Sequence, residues 1–584
     1  MQLWPGAVNF PDFFAQQTIE WWTSQIQGVY SQLPLDGLWI DMHEPSNFCT
    51  GDVCVLPDST VDANTDFYCK LTCTSGTGAS PNATFIAPPG IYDPPYKINN
   101  NNTQLDLSTK TVPLSGRHLD GNLSYDLHNL YGLSHSIATY KALMSTLNRR
   151  PFVLSRSTFL GSGAWTAHWT GDTVSDWDDL QWSIGDMLQA GMAGISFVGA
   201  DICGFNNYAT EELCARWAAA GAWQPFARNH HADGFQEFYI WPTVTTVAQK
   251  VFTWRLRVLP YHYTAFFDSH TYGCSVMRPL FFPFPGDGST YYNNYQWMLG
   301  DALLVAPILS QGTSTLSAYF PQGVWYNLYN YSVIDTSSGG QNITVQAQTT
   351  DNPPVYILGG NIVPIGLNGT NNTSAARTAN LTLVAALPGA QSPYFYRCGQ
   401  GCAAESSPSN LVACGHMYLD QGEEMSVGRS QNNYLAFEVR VVSSGLGGSS
   451  LQGSLITYWP GVPGQGANGC SATVKWPILD NVTVLGVPAV NAASVAVQDI
   501  GAQTSAAAAF GAAGVVQAQQ AQVAAPSSVV FSGLPLPSGD VAYDSVAKVL
   551  SITNLGYQLS CPNALKITWQ PPTSAAPSGL GVDG

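Results

Sequence analysis

Between residues 38 and 230 short apolar runs repeat, and each one stops on a charged or polar residue. Leu38-Trp39-Ile40 ends at Asp41, the run from Phe152 ends at Arg156, Ala167 to Gly171 leads to Asp172, Ile195 to Ala200 leads to Asp201, and Trp223 to Asn229 ends at His230. Helical patterns lie around and between them: Thr18 to Tyr30, Leu130 to Asn148, Trp177 to Gln189, Glu211 to Ala220 and Val247 to His270. A short run with no polar face fits a strand buried in a parallel sheet, and parallel neighbours need a crossover helix between them. The alternation therefore predicts an α/β chain of TIM-barrel type with its chemistry at the carboxyl rim of the strands. Pro45, four residues past Asp41, stops the first run because it has no N–H to offer a ladder.

After about residue 274 the texture changes to short alternating segments broken by Gly and Pro, which predicts β-sandwiches. The expected layout is a partial (β/α)8 barrel over 1–274, a proximal β-sandwich over 275–372, a distal one over 373–570 and a Pro/Ser/Gly tail over 571–584. A polar stretch, 49–116, interrupts the barrel and holds Cys49, Cys54, Cys69 and Cys73. It predicts a disulfide-stapled loop rather than a zinc site, since no partner pair has zinc-like spacing; three pairings remain open. An Ala/Gln-rich tract at 501–528 has no sustained apolar face and reads as an insertion.

Only 10% of the residues are charged, yet the net charge is −17. Nucleic acid and anionic membranes both attract basic patches, so neither fits as a partner. A neutral sugar is indifferent to such a field, and 12% aromatic residues, with 17 Trp, supply flat faces for pyranose rings. Twelve Cys and ten N-x-S/T sequons point to the secretory route. No basic and apolar leader stands at Met1, and no run approaches the roughly 20 apolar residues of a membrane span.

The strings at the run ends carry a resemblance. WIDMHEPSNF, FVLSRSTFLG, AHWTGDTVSDW, ISFVGADICGF and ARNHH resemble, in order and spacing, glycoside hydrolase family 31, the α-glucosidase family, with His43 in place of the usual Asn. The resemblance implies that Asp41 is the nucleophile and Asp172 the acid/base. It implies that Arg156 and Trp169 frame the sugar, with Met42 beside the nucleophile, and that Asp201, Phe205 and His230 complete the subsite for the non-reducing glucose. Trp4, from the WPG segment, is carried over as a sugar-stacking residue with plain packing as its alternative. The same resemblance implies a disulfide between Cys203 and Cys214.

Glycoside hydrolysis needs two carboxyl groups, one to attack or stabilise the anomeric carbon and one to protonate the leaving oxygen; no metal, nucleotide or flavin is required and no motif for one appears. The expected activity is a retaining α-glucosidase acting on maltose-like or starch-derived chains. An α-xylosidase, an α-glucan lyase or a non-catalytic relative are the alternatives. Five strands are counted where a barrel closes with eight, and the resemblance starts just before the family's fourth strand. The expectation is that an N-terminal half is encoded upstream and that this chain by itself aggregates and is inactive.

Overall fold

The computed structural model of the chain describes residues 2–3, 6–46, 53–55, 72–74, 107, 111–389, 398, 411–425, 434–443, 451–458, 476–487, 490, 494–502, 541–559 and 563–570. They fall into two units, one of residues 1–171 with 193–198 and the other of residues 172–192 with 199–584.

The first unit is built on parallel strands β1 (Gly37–Ile40), β2 (Phe152–Ser155) and β3 (Ala167–Trp169). Register runs from Gly37 opposite Phe152 to Ile40 opposite Ser155, and Ser155 in turn lies opposite His168. The next strand, β4 (Val198–Gly199), follows in sheet order, and His168 N–H donates to the Phe197 carbonyl at 2.9 Å. Glycine opens β1 because a Cβ at Gly37 would sit 2.8 Å from the Phe152 carbonyl oxygen. Helices α1 (Gln16–Gln32) and α2 (Tyr131–Leu147) cover one face, burying Ile26, Ala142 and Leu143 against Ile40 and Val153. Each buried Ile, Leu or Val among them contributes about 1.5–3 kcal/mol of transfer free energy. Asn148 ends α2 in the left-handed conformation at φ 51°, which its short polar side chain tolerates.

The expectation of a fully buried Leu38–Ile40 needs correction: Ile40 is buried, but Trp39 is 47% exposed. Successive strand residues face opposite sides, and on the side away from α1 and α2 Trp39 meets the edge of the Trp169 ring at 5.6 Å.

In the second unit, α3 (Trp177–Met192) precedes the parallel pair β5 (Asp201–Ile202) and β6 (Arg228–Asn229). The single strand expected over 194–201 is two pieces, because at Ala200 the N–H leaves the ladder for the Gln224 side chain at 3.2 Å. Helix α4 (Glu211–Gly221) starts at Thr210, whose hydroxyl accepts from Leu213 N–H, and carries Glu211 and Glu212 in its first turn, where the helix dipole favours them. It lies so close to β5 that a Cβ on Gly221 would come within 2.6 Å of Ile202. Pro242 begins α5 (Pro242–Tyr272), five residues earlier than its apolar periodicity suggested, since proline suits a first helical turn. Arg255 of α5 donates to the carbonyls of Ala222, Gln224 and Pro225, closing the end of α4; burial brings it down to about 10, still charged at neutral pH.

Beyond α5, one antiparallel sheet runs in the order Met277–Arg278, Trp297–Leu299, Leu303–Val305, Val355–Leu358, Val324–Asn327, Val333–Asp335. The ribbon of Thr315–Phe320 with Gln341–Gln346 shares its core of Met298, Leu304, Phe320 and Trp325. Asn361–Gly366 pairs with Leu381–Ala386 and so joins the last, eleven-stranded sheet, although composition had placed it before a boundary at 372. Disulfides join Cys203 to Cys214 and Cys274 to Cys398. Of the 49–116 stretch, Val53–Val55 and Thr72–Thr74 pair antiparallel with Cys54 opposite Cys73. The cysteine pairing there, most of 501–528 and the tail lie outside the described residues. Among the described helices none is long and apolar enough to cross a membrane.

Candidate active site

Asp41 directly follows β1, with its side chain 23% exposed. The next residue, Met42, is 37% exposed and turns through φ 59°, a conformation costing a non-glycine residue about 1–3 kcal/mol, which persists only where neighbours hold it. Four contacts do so. Met42 N–H donates to Asp41 Oδ1 at 2.8 Å. Arg156, at the end of β2, donates through Nε to Glu44 Oε1 at 2.7 Å and pairs with Asp41 Oδ1 at 3.2 Å. His43, 3% exposed, meets Ser155 Oγ through Nε2 at 3.0 Å. Since the Ser155 hydroxyl gives its one proton to the Ser157 carbonyl at 2.8 Å, it accepts from His43, and the His43 proton sits on Nε2. Burial raises Glu44, but the hydrogen bond and charge of Arg156 outweigh it and hold the carboxyl below its ordinary range.

His135 of α2 stands behind His43, with rings edge to face at 5.0 Å, and stacks on Phe13 at 4.1 Å. Neither of its ring nitrogens has a hydrogen-bond partner, and burial, with His43 alongside, brings it down to about 3. Burial likewise lowers His43, against the opposing pull of Glu44 and Asp41. Such a histidine takes up its proton in the unfolded chain first, so its stability contribution is complete above about 6.5 and is lost as the pH falls from there towards 3. Replacing His135 with Phe should remove about 2 kcal/mol of the stability lost between pH 7 and pH 5, read from urea midpoints at both pH values. Equal pH dependence in parent and variant would discount the buried neutral ring.

In the second unit Asp172 is exposed and its loop is stitched to the one carrying Phe205. Asn206 Nδ2 donates to the Asp172 carbonyl at 3.0 Å, while Phe205 and Asn206 N–H groups both donate to the Thr173 carbonyl. Phe205 and His230 bring their rings to 5.2 Å, and Ala232 N–H donates to the Phe205 carbonyl. Cys203–Cys214 anchors the start of the Phe205 loop to α4. Asp201 is fully buried, with Oδ1 taking two hydrogen bonds from Arg228, at 3.0 Å and 2.6 Å. Its carboxylate thus orders β6 and the approach to His230.

The structure therefore gathers Asp41, Met42 and Arg156 in one unit and Asp172, Asp201, Phe205 and His230 in the other. Trp169 is 1% exposed, its ring packed with Trp39 inside the first unit, and Trp4 lies outside the described residues. Glu44 and Arg228, the partners that hold Arg156 and Asp201, were missed as site residues. The signal for Arg228 was there: opposite charges at matching positions of two successive strand ends. Among the described residues no cluster of three or more metal-ligating side chains occurs.

The first unit thus holds a carboxylate directly after a parallel strand, with Arg156 bridging Asp41 and Glu44, and the second unit holds a separate pair of an aromatic and an imidazole ring, the architecture and side-chain types of an α/β protein with candidate acid–base groups at its strand ends. Residues 1–265 match the TIM-barrel domain of glycosyl hydrolases family 31, and residues 273–363 match that family's C-terminal domain. The chain belongs to glycoside hydrolase family 31. It is 39% identical over 450 residues to a probable alpha-glucosidase of Oryza sativa subsp. japonica, covering 76% of this chain and 44% of the relative. With alpha-xylosidase 1 of Arabidopsis thaliana it shares 36% identity over 493 residues, covering 83% and 49%. It spans about half the length of these curated relatives. Its fold resembles the crystal structure of glucosidase II alpha subunit, with a TM-score of 0.68 at 21% identity over 97% of this chain and 50% of that one.

Proposed function

We propose that this chain carries the catalytic residues of a retaining α-glucosidase that removes terminal glucose from maltose-like and starch-derived chains. Asp41 attacks the anomeric carbon and forms a glucosyl ester, while Asp172 protonates the departing oxygen. Asp172 then takes a proton from the water that attacks the ester, so the product keeps the α configuration. The observation that carries this reading is the held geometry of Asp41: a carboxylate directly after a parallel strand, beside a turn at φ 59° and within 3.2 Å of Arg156. Arg156 offsets negative charge at the nucleophile and offers a planar fork to hydroxyls. His230 and Phe205 supply a hydrogen-bonding edge and an apolar face for the bound glucose. The Cys203–Cys214 and Cys274–Cys398 disulfides and the ten sequons support the secretory route as the place of work.

The resemblance to an α-xylosidase at similar identity favours a second reading, in which the same two carboxylates act on a sugar lacking the C6 hydroxymethyl group. Chromogenic α-glucoside and α-xyloside, offered in parallel, separate the two. The expected result is a kcat/KM at least roughly tenfold higher for the glucoside, because groups placed for a hydroxyl are left unpaired by a sugar without it. Preference for the xyloside would overturn the substrate assignment, and turnover of neither is the outcome expected if this chain by itself is inactive.

A further inference from the structure

The two loops that carry Phe205 and His230 also present aromatic rings outward. Tyr208 is 74% exposed and Phe235 is 80% exposed, although both lie in tightly organised backbone. Asn207 N–H donates to Asp233 Oδ2 at 3.1 Å, tying one loop to the other. Gln236, 1% exposed, sends its amide to the carbonyls of Ile202 and Gly204 and to Asn229 Oδ1, beneath the same two loops. The Cδ1–Cε1 edge of the Tyr208 ring abuts Gly234, where a Cβ would come within 2.7 Å of it, and Phe235 is the next residue. Gly234, at φ 72°, both permits that contact and turns the chain so that Phe235 points away from the core.

Burying a Phe side chain contributes about 1.5–3 kcal/mol to folding, and this fold forgoes it at Phe235 while holding the backbone rigid. Next to the rings along the chain stand Asn207 and Asp233, short hydrogen-bonding side chains rather than cationic ones. With a net charge of −17, such a surface suits neither a phosphate backbone nor an anionic bilayer. Flat apolar rings flanked by hydrogen-bonding groups match a neutral pyranose, with its C–H face and equatorial hydroxyls.

We propose that Tyr208 and Phe235 form a stacking platform for an α-linked glucan chain, an inference that rests on the glycosidase reading and extends it beyond the terminal glucose. The platform sits on the same two loops as the Phe205–His230 pair, which Ala232 N–H ties together by donating to the Phe205 carbonyl. Rings carried on loops whose backbone is already hydrogen-bonded lose less freedom on binding than rings on unsupported loops, so more of the contact energy of each stacked sugar reaches affinity.

The test titrates the full chain with maltoheptaose and runs it on native gels containing soluble starch. The parent is expected to be retarded by starch. Tyr208→Ala and Phe235→Ala should each weaken maltoheptaose binding about fivefold, and the double variant about twentyfold, with unchanged far-ultraviolet circular dichroism. Tyr208→Trp, which keeps a ring, should retain the retardation. An unretarded parent, or a double variant retarded like the parent, would overturn the platform. A mechanism-based glucosyl inactivator distinguishes this from the catalytic reading. If Asp41 is not labelled but the variants lose retardation, the platform stands and turnover does not; if Asp41 is labelled and retardation is indifferent to both rings, the reverse holds.

Discussion

Treating catalytically active protein with a mechanism-based α-glucosyl inactivator is expected to leave one glucosyl adduct per chain, on Asp41, and the Asp41→Ala variant should take up none. Three neighbours decide between the carboxylates. Glu44 is closer to Arg156 than Asp41 is, with 2.7 Å against 3.2 Å, and also accepts from the Ser46 hydroxyl, so its lone pairs are engaged in holding the turn. Asp41 keeps a part-exposed carboxylate that binds only the adjacent N–H and one guanidinium edge in this group. Alanine at position 41 leaves the Arg156–Glu44 pair in place, so the turn and the unit survive while turnover drops by at least about 10⁴-fold, the scale of losing a nucleophile. Peptide mapping that finds the adduct on Glu44 or Asp172 would reassign the nucleophile.

Arg228→Leu is expected to be the most destabilising single change among the candidate functional residues of the second unit, by about 3–5 kcal/mol. Its partner Asp201 has no exposed surface, and two charge-assisted hydrogen bonds from Arg228 offset much of the cost of burying that charge. Removing the guanidinium leaves a carboxylate in a closed interior, which is dearer than removing both charges together. The double variant Asp201→Asn, Arg228→Leu should therefore recover part of the loss. Urea unfolding followed by circular dichroism measures both; a cost below about 1 kcal/mol for Arg228→Leu would show that the pair is not needed to hold β6.

Most strand ends could be read directly along the chain. Asp41 and Arg156 stand one residue past β1 and β2, and Asp201 opens β5, where the apolar runs stopped. A run ends where burial ends, and the first residue able to face water is a polar one, so the position is encoded locally. Helix ends followed the same logic less sharply. The start of α5 was missed because Pro242 caps the helix before its apolar stripe begins.

What the sequence by itself determined was periodicity: which stretches alternate as strand or helix, where each run meets water, and a string of motifs shared with one family. Which groups meet was decided only by tertiary structure. Arg228 lies twenty-seven residues from Asp201 and Arg156 lies 112 from Glu44, and each pair exists because two parallel strands adopted one register. Shifting a strand by one residue would turn every side chain to the other face while leaving the hydrophobic count of the segment unchanged. The half-open Trp39, the bare ring of His135 and the outward Phe235 were illegible for the same reason. Burial is a property of what packs against a residue, and the packing partners come from distant parts of the chain whose approach no local pattern records.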